Sequence, residues 1–562
     1  MTTHDLVVRA GTVVDGDGGP PRTADVAIDG DRVVEVGRVS GTGRQEISAD
    51  GALVTPGFVD IHTHYDGQAT WESRLQPSSW HGVTTVVMGN CGVGFAPVHA
   101  GDRDRLVELM EGVEDIPGVA LHEGLTWEWS SFAEYLDVLA ARSYDIDLAA
   151  QLPHAALRVH AMGERAAARA EATAEEIAVM ARLAKEAVQA GAIGFSTSRT
   201  LNHKSIDGEL TPSYDAGSDE LVAIAAAIGE TGRGVLQLVT DFDDPKADVA
   251  LMRAMAAASG RPLSVSAIHM PVAPERIFEV LDLMQEAVDD GLTLRGQVGP
   301  RPIGMLLGLE NTLNPFMTNP VWRTVAGLPV AEQRARMADP DFRARVLAAQ
   351  TGEKVDGRIG GRMITRYEIM YALSDPPVYE LPASASIAAR AAAAGLTGDE
   401  LAYDVIARGA MLYLTAANRD FDALHELLVH PLTVPGLSDG GAHVGTICDG
   451  SFPTSLLQHW VRDRAGARLD LAYAVQQQSR DTARAVGLTD RGVLAPGMRA
   501  DLNVIDLDRL TLHLPEVRYD LPAGGRRLVQ QAEGYRHTVV AGQETYRDGE
   551  ATDALPGRLV RG

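Results

Sequence analysis

The pattern of apolar and polar positions changes twice along the chain. Asp5 to Val14 is apolar and β-branched, and Val26-Ala27-Ile28 turns through Asp29-Gly30 into Val33-Val34-Glu35-Val36, which predicts short strands. After Pro56-Gly57 apolar strands alternate with amphipathic helices, the mark of βα units around a parallel sheet. One unit reads closely. Thr173-Ala174-Glu175-Glu176 is a capping box, Ile177, Met180, Ala181, Ala184 and Val188 follow at helical spacing, and Gly191 stops the helix before the strand Ile193 to Ser196. The same alternation recurs at Asp219 to Ile228 with Val235 to Val239, and at Glu275 to Val288 with Leu292 to Val298.

Strands ending in polar residues are expected at Phe58 to His64, Thr84 to Cys91, Ile146 to His154, Ile193 to Ser198, Val235 to Thr240, Leu263 to His269, Leu292 to Arg301 and Leu432 to Asp439. That number fits a closed (β/α)8 barrel of the α/β class. The interval from Pro302 to about Leu396 breaks the rhythm and reads as an insertion over the barrel mouth, where long insertions act as lids. From Gly492 short strands return, at Asp501 to Asp506 and Thr538 to Gly542. The expected organisation is a barrel over 58–489, an insertion over 302–396, and a small sheet domain built jointly from 1–57 and 490–562.

Composition narrows the class. With 562 residues, 45% hydrophobic and 22% charged, the chain is long enough for a barrel-sized core, and no window approaches the roughly 20 apolar residues of a membrane span. The start MTTHDLVVRAGTVVDG lacks the features of a secretory signal, so a cytoplasmic location is expected. A net charge of −26 disfavours nucleic acid and anionic membranes, leaving a small-molecule substrate as the expected partner, with assembly into a homo-oligomer left open. The chain's two cysteines, Cys91 and Cys448, rule out a disulfide framework.

His62 and His64 stand two apart after an apolar strand, so both side chains leave one face and can share a metal ion. Cys91 ends the next strand inside Gly89-Asn90-Cys91-Gly92, where flanking glycines let the backbone come close to an ion and a thiolate can ligate zinc; a buried free thiol is the alternative. Cys448, in a loop, reads as packing. Asp439, in Ser438-Asp439-Gly440-Gly441, ends the last strand, where a carboxylate can touch a metal and take a proton from water acidified to a pKa of about 7 by zinc; an Asp-Gly turn is the plainer reading.

Together these motifs resemble the amidohydrolase superfamily, and within it the D-aminoacylase (N-acyl-D-amino-acid deacylase) family. The likeness rests on Thr55-Pro56-Gly57-Phe58-Val59-Asp60-Ile61-His62-Thr63-His64, Gly89 to Pro97, Gly191 to Thr197, Ser438-Asp439-Gly440 and Arg491 to Leu502. It implies a distorted TIM barrel with a β-sandwich built from both termini. It also implies one or two zinc ions held by His62, His64, Cys91 and Asp439, with Asp439 as general base, and hydrolysis of an amide bond in an N-acyl-amino acid. Cyclic amides, carbamates or esters are the alternative substrates, and a catalytically silent binding protein is a third reading.

The departures are specific. The family's fifth-strand histidine is absent from Gly234 to Asp241, and Ala267 stands at the sixth-strand ligand position, with His269 two residues on as a candidate replacement. No arginine follows Asp439 within Gly441 to Gly445. Glu114 is read as solvated rather than as a substitute ligand. His154, Arg301, His203 and Lys204 are candidate substrate-binding residues, Arg301 through a fork onto a carboxylate or, equally, through a structural pair with an acid of the insertion.

Overall fold

The computed structural model describes residues 2–356 and 360–562. Eight parallel strands pair in chain order: Phe58–Asp60, Val83–Met88, Asp147–Pro153, Gly194–Arg199, Val235–Thr240, Leu263–Ser266, Leu294–Val298 and Thr433–Pro435. Each lies inside its expected segment or within one residue of it. Their outward side chains, among them Val86, Leu148, Phe195, Leu236, Val265 and Leu294, share one core with helix residues such as Met180, Ala184, Leu221, Met252 and Leu281. Val87, Ala149 and Val235 belong to a different cluster, with Val59, Val434 and Leu488. Two residues further along the same strand faces come Gly89, Gln151 and Gln237, so a polar layer sits above an apolar one.

The helix Ala174–Ala190 carries the predicted capping box, with Thr173 accepting from Glu176 N, and it stops at Gly191 in the left-handed region (φ 113°).

The last strand returns to the first through the segments that follow them. Asp439 N donates to His62 O at 3.0 Å and His64 N donates to Gly440 O at 2.8 Å, a parallel bridge that closes the distorted TIM barrel. Regular pairing of the first strand ends at Asp60 rather than His64, because beyond it the backbone serves this closure.

Both chain ends contribute to one nine-stranded sheet, in which Leu53–Pro56 pairs antiparallel with Leu502–Ile505. The sheet is continuous through Thr3–Val13, whose first half pairs with Thr42–Ser48 and whose end pairs with Leu53–Pro56. A bulge near Ala10 (φ 57°) lets one strand serve both, and a Cβ on Gly11 would lie 2.3 Å from Val54 Cγ2. Leu6, Val8, Val26, Val54, Leu502 and Val539 pack together between the two parts.

The excursion after the seventh strand has its own core, including Met305, Phe316, Trp322, Val346 and Tyr403. It extends past the expected end at 396, because Leu412–Ala417 is the middle strand between Ile303–Leu307 and Met370–Ala372. It also touches the loops at the barrel mouth. Thr312 N donates to Gly445 O at 3.0 Å, and Thr312 Oγ1 donates to Asp115 Oδ1 at 3.0 Å. Among the described residues no helix is long and apolar enough to cross a membrane.

The end sheet is tied to the barrel by a buried ion cluster. Asp147, at the start of the third barrel strand, takes Arg499 Nε and Arg491 Nη1, each at 2.8 Å. Asp147→Asn leaves two buried guanidiniums undercompensated and is expected to cost about 3–5 kcal/mol. Urea unfolding of the purified variant measures this.

Candidate metal centre

His62, His64 and Cys91 offer donor atoms within 4.8 Å of one another, all buried. His62 Nε2 lies 3.3 Å from Cys91 Sγ, and Asp439 Oδ1 faces His62 Nε2 at 3.5 Å and His64 Nε2 at 3.6 Å. Three of the predicted ligands are therefore gathered together by the ends of the first and second strands, and Asp439, from the end of the eighth, faces both imidazoles. Two imidazoles, a thiol and a carboxylate form the N, S and O donor set that zinc takes. Both ring nitrogens of His64 are buried without a hydrogen-bond partner, a cost that a cation at Nε2 relieves. Burial pushes the Cys91 thiol up to about 12, whereas metal ligation would deprotonate it. The donor set fits a metal.

Neighbouring polar residues hold these donors in place. Gln297 Oε1 sits 2.7 Å from His62 Nδ1, and the Cys91 amide donates to Gln237 Oε1 at 3.2 Å. Ser438 Oγ donates to Asp60, whose carboxyl burial pushes up to about 7. Cys91 (φ 56°), Leu437 (φ 59°), Asp439 (φ 50°) and His443 (φ 49°) all lie in the left-handed region. Such residues cost about 1–3 kcal/mol each and persist only where surroundings hold them.

Two groups complete the cluster. Glu114 is buried, not solvated, with Oε1 3.3 Å from His64 Nδ1 and Oε2 3.4 Å from His443 Nε2. The apolar face of its helix, Arg103–Glu114, explains this: Leu106, Val107, Met110 and Val113 are buried, and Glu114 continues that stripe one turn beyond Met110. The signal was present in the sequence. His443 had none beyond its place four residues after Asp439.

The electrostatics follow from burial and from these neighbours. Burial pushes Glu114 up to about 7 and pulls His62 and His443 down to about 4. Burial also acts to raise Asp439, but His64, His62 and His443 together hold it well below the usual carboxylate range. His64 is driven the other way: burial opposes its charge, and Glu114, Asp439 and Cys91 outweigh it and lift the imidazole well above its ordinary value.

The remaining predicted residues separate. His269 is not brought to the cluster. Its strand parity matches Val265 and Ala267, which face the helices, and its ring lies 6.3 Å from Phe278 while Asn418 Oδ1 accepts from its amide at 2.9 Å. His154 also points away from the mouth, and both its nitrogens are engaged, by Thr197 Oγ1 and Glu220 Oε1, each at 2.8 Å. Arg301 is buried and donates to Asp449 Oδ1 and Cys448 O, each at 2.8 Å, with Tyr379 stacked 4.0 Å away. It is committed to an internal pair and offers no open fork. Its acid comes from the loop after Asp439, and the insertion supplies only the ring above it.

His203 does approach the centre. Ser198 Oγ holds its Nδ1 at 2.8 Å, and burial, together with the field of His443 and His64, pulls it down to about 3. Lys204 is half-buried in the same loop, bridged to Leu210 through the backbone. Cys448 packs against Leu306, Tyr413 and Leu528.

Comparison with known proteins gives the family and the fold. The amidohydrolase family profile matches residues 45–546. An N-acyl-D-aspartate deacylase of Alcaligenes xylosoxydans is 28% identical, over 99% of this chain and 95% of its own. An uncharacterized protein of Mycobacterium tuberculosis is 29% identical over all of this chain and 96% of its own. Among solved structures, a D-aminoacylase described as having a binuclear metal centre superposes with a TM-score of 0.67 at 24% identity, over the whole of both chains. The N-acyl-D-glutamate deacylase of Bordetella bronchiseptica, solved with zinc and a phosphonate inhibitor, gives 0.67 at 23%, also over the whole of both chains. With the barrel, the gathered donors and a match across most of its length, the chain belongs to the amidohydrolase family.

Proposed function

We propose that this amidohydrolase is a zinc-dependent deacylase of N-acyl-D-amino acids, with His62, His64, Cys91 and Asp439 holding the metal and Asp439 doubling as general base. The observation that carries the reading is the convergence of His62, His64 and Cys91 beneath the Asp439 carboxylate. The full-length likeness to deacylases supplies the substrate class. The fifth strand carries no histidine and turns Gln237 to the Cys91 amide, and His269 faces the helices, so the donors support a single ion.

A bound zinc supplies polarisation of the scissile carbonyl and acidification of the attacking water. The Asp439 carboxylate stands over both imidazoles of the centre, in position to accept a proton from water and return it to the leaving amine nitrogen. His203, buried and held by Ser198, remains the candidate substrate contact of the loop after the fourth strand. The insertion, bonded to the loop after Asp439, covers the mouth and limits water around the reacting groups.

One observation favours a second substrate class. Because Arg301 is engaged by Asp449, it does not meet a substrate carboxylate, which suits a cyclic amide or another uncharged substrate. A hydrolysis screen over N-acyl-D-amino acids, N-acyl-L-amino acids and cyclic amides, before and after chelation, separates the two. Chelator-sensitive activity on the D-series is expected; activity confined to cyclic amides selects the second class, and metal-free protein with no chelator-sensitive activity defeats both. In metal analysis, His62→Ala is expected to lose zinc and activity together, while Cys91→Ala retaining full zinc would return that thiol to packing. Asp439→Asn is expected to lose about two to four orders of magnitude in kcat while keeping measurable zinc, by the same analysis and steady-state kinetics.

A further inference from the structure

Four side chains around the candidate centre form a closed ring. Asp439 Oδ1 faces His64 Nε2 at 3.6 Å, and His64 Nδ1 faces Glu114 Oε1 at 3.3 Å. Glu114 Oε2 then faces His443 Nε2 at 3.4 Å, and His443 Nε2 faces Asp439 Oδ2 at 3.8 Å. Carboxylates and imidazoles alternate, so each acid oxygen has an imidazole opposite it. The backbone fastens the ring at a second point, since His443 N donates to the carbonyl of Glu114.

Glu114 lies behind His64, on the Nδ1 side, and an imidazole cannot turn both nitrogens to one ion. It is therefore placed as a partner of the ligand rather than as a ligand. Both its oxygens are buried with no hydrogen bond of good geometry, and His64 Nδ1 has no other partner. A buried carboxylate in that condition is costly unless it faces cationic or strongly polarised groups, and the two facing it are His64 and His443. Carboxylates that accept from the far nitrogen of a metal-bound histidine fix its tautomer and raise its donor strength.

We propose that Glu114 is a positioning residue of the metal centre. It fixes His64 with Nε2 toward the metal and couples it, through His443, to the outer oxygen of Asp439. This rests on the zinc-dependent reading above. It goes further by placing a helix outside the strand-end motifs in control of metal affinity.

The test is zinc affinity of the full chain by competition with a chromophoric chelator, with the absorption spectrum of the cobalt(II)-loaded protein as a second readout. Glu114→Gln, which keeps shape and loses charge, is expected to weaken zinc about 10- to 100-fold and to shift the cobalt bands. His443→Gln is expected to weaken zinc less, and the double variant to fall short of the product of the two single effects, because both act through one ring. Unchanged zinc affinity and cobalt spectrum in Glu114→Gln would overturn the proposal, as would strictly multiplicative effects. If Glu114→Gln does not fold, His443→Gln decides alone, and unchanged zinc affinity there overturns it. Failure of the unaltered protein to take up zinc or cobalt defeats the zinc reading together with this one, whereas normal uptake with a silent Glu114→Gln defeats this one alone.

Discussion

The backbone exchange between the first and last barrel segments is the constraint on which the site depends. Asp439 N on His62 O, and His64 N on Gly440 O, are ordinary main-chain hydrogen bonds. They carry the three residues that face one another at the centre. Thr63 pairs with Gly440, so His62, His64 and Asp439, which flank that bridge, turn to the same side, and the Asp439 carboxylate comes to lie over both imidazoles. Left-handed backbone at Cys91, Asp439 and His443 is held by hydrogen bonds from their amides to Gln237, His62 and Glu114.

Two glutamines hold the gathered donors in place. Gln237 stands on the strand where a histidine is expected, and it grips the Cys91 backbone instead of offering a donor. Gln297 takes Nδ1 of His62, and its own amide donates to Ser264 Oγ at 2.9 Å. Residues that reach inward from the fifth and seventh strands therefore support the donors of the first and second. The result is a compact centre displaced to one side of the barrel.

The eight strands were legible because each ends an apolar run in polar residues, and the helices between them carry caps and periodic faces. His62, His64, Cys91 and Asp439 were legible because motif spacing and strand ends are local properties. His154 and His269 misled because the side of a strand on which a residue falls depends on sheet twist and helix packing, which sequence spacing does not specify. Arg301 could not be resolved between two roles until Asp449, a residue far along the chain, was seen beside it. Glu114 was misread because its charge outweighed its place on an apolar helical stripe. The insertion's end was missed since Leu412–Ala417 pairs with a strand more than a hundred positions earlier, as the Tyr413–Pro302 bond at a separation of 111 shows.

Barrel closure also has a consequence for biogenesis. Ser438 Oγ donates to His62 O across a separation of 376 positions, so the half of the centre that holds His62, His64 and Cys91 leaves the ribosome long before the half that holds Asp439. During that interval the nascent chain carries soft donors on an open sheet edge, with neither the closing strand nor the insertion to shield them. Non-local contacts of this range are slow to form and are rewarded only late in folding. A cation that binds the finished set in preference to the partial one draws the equilibrium toward the completed barrel by mass action. The cluster is therefore completed only when the last barrel strand docks, so closing the barrel and assembling the site are one event in folding.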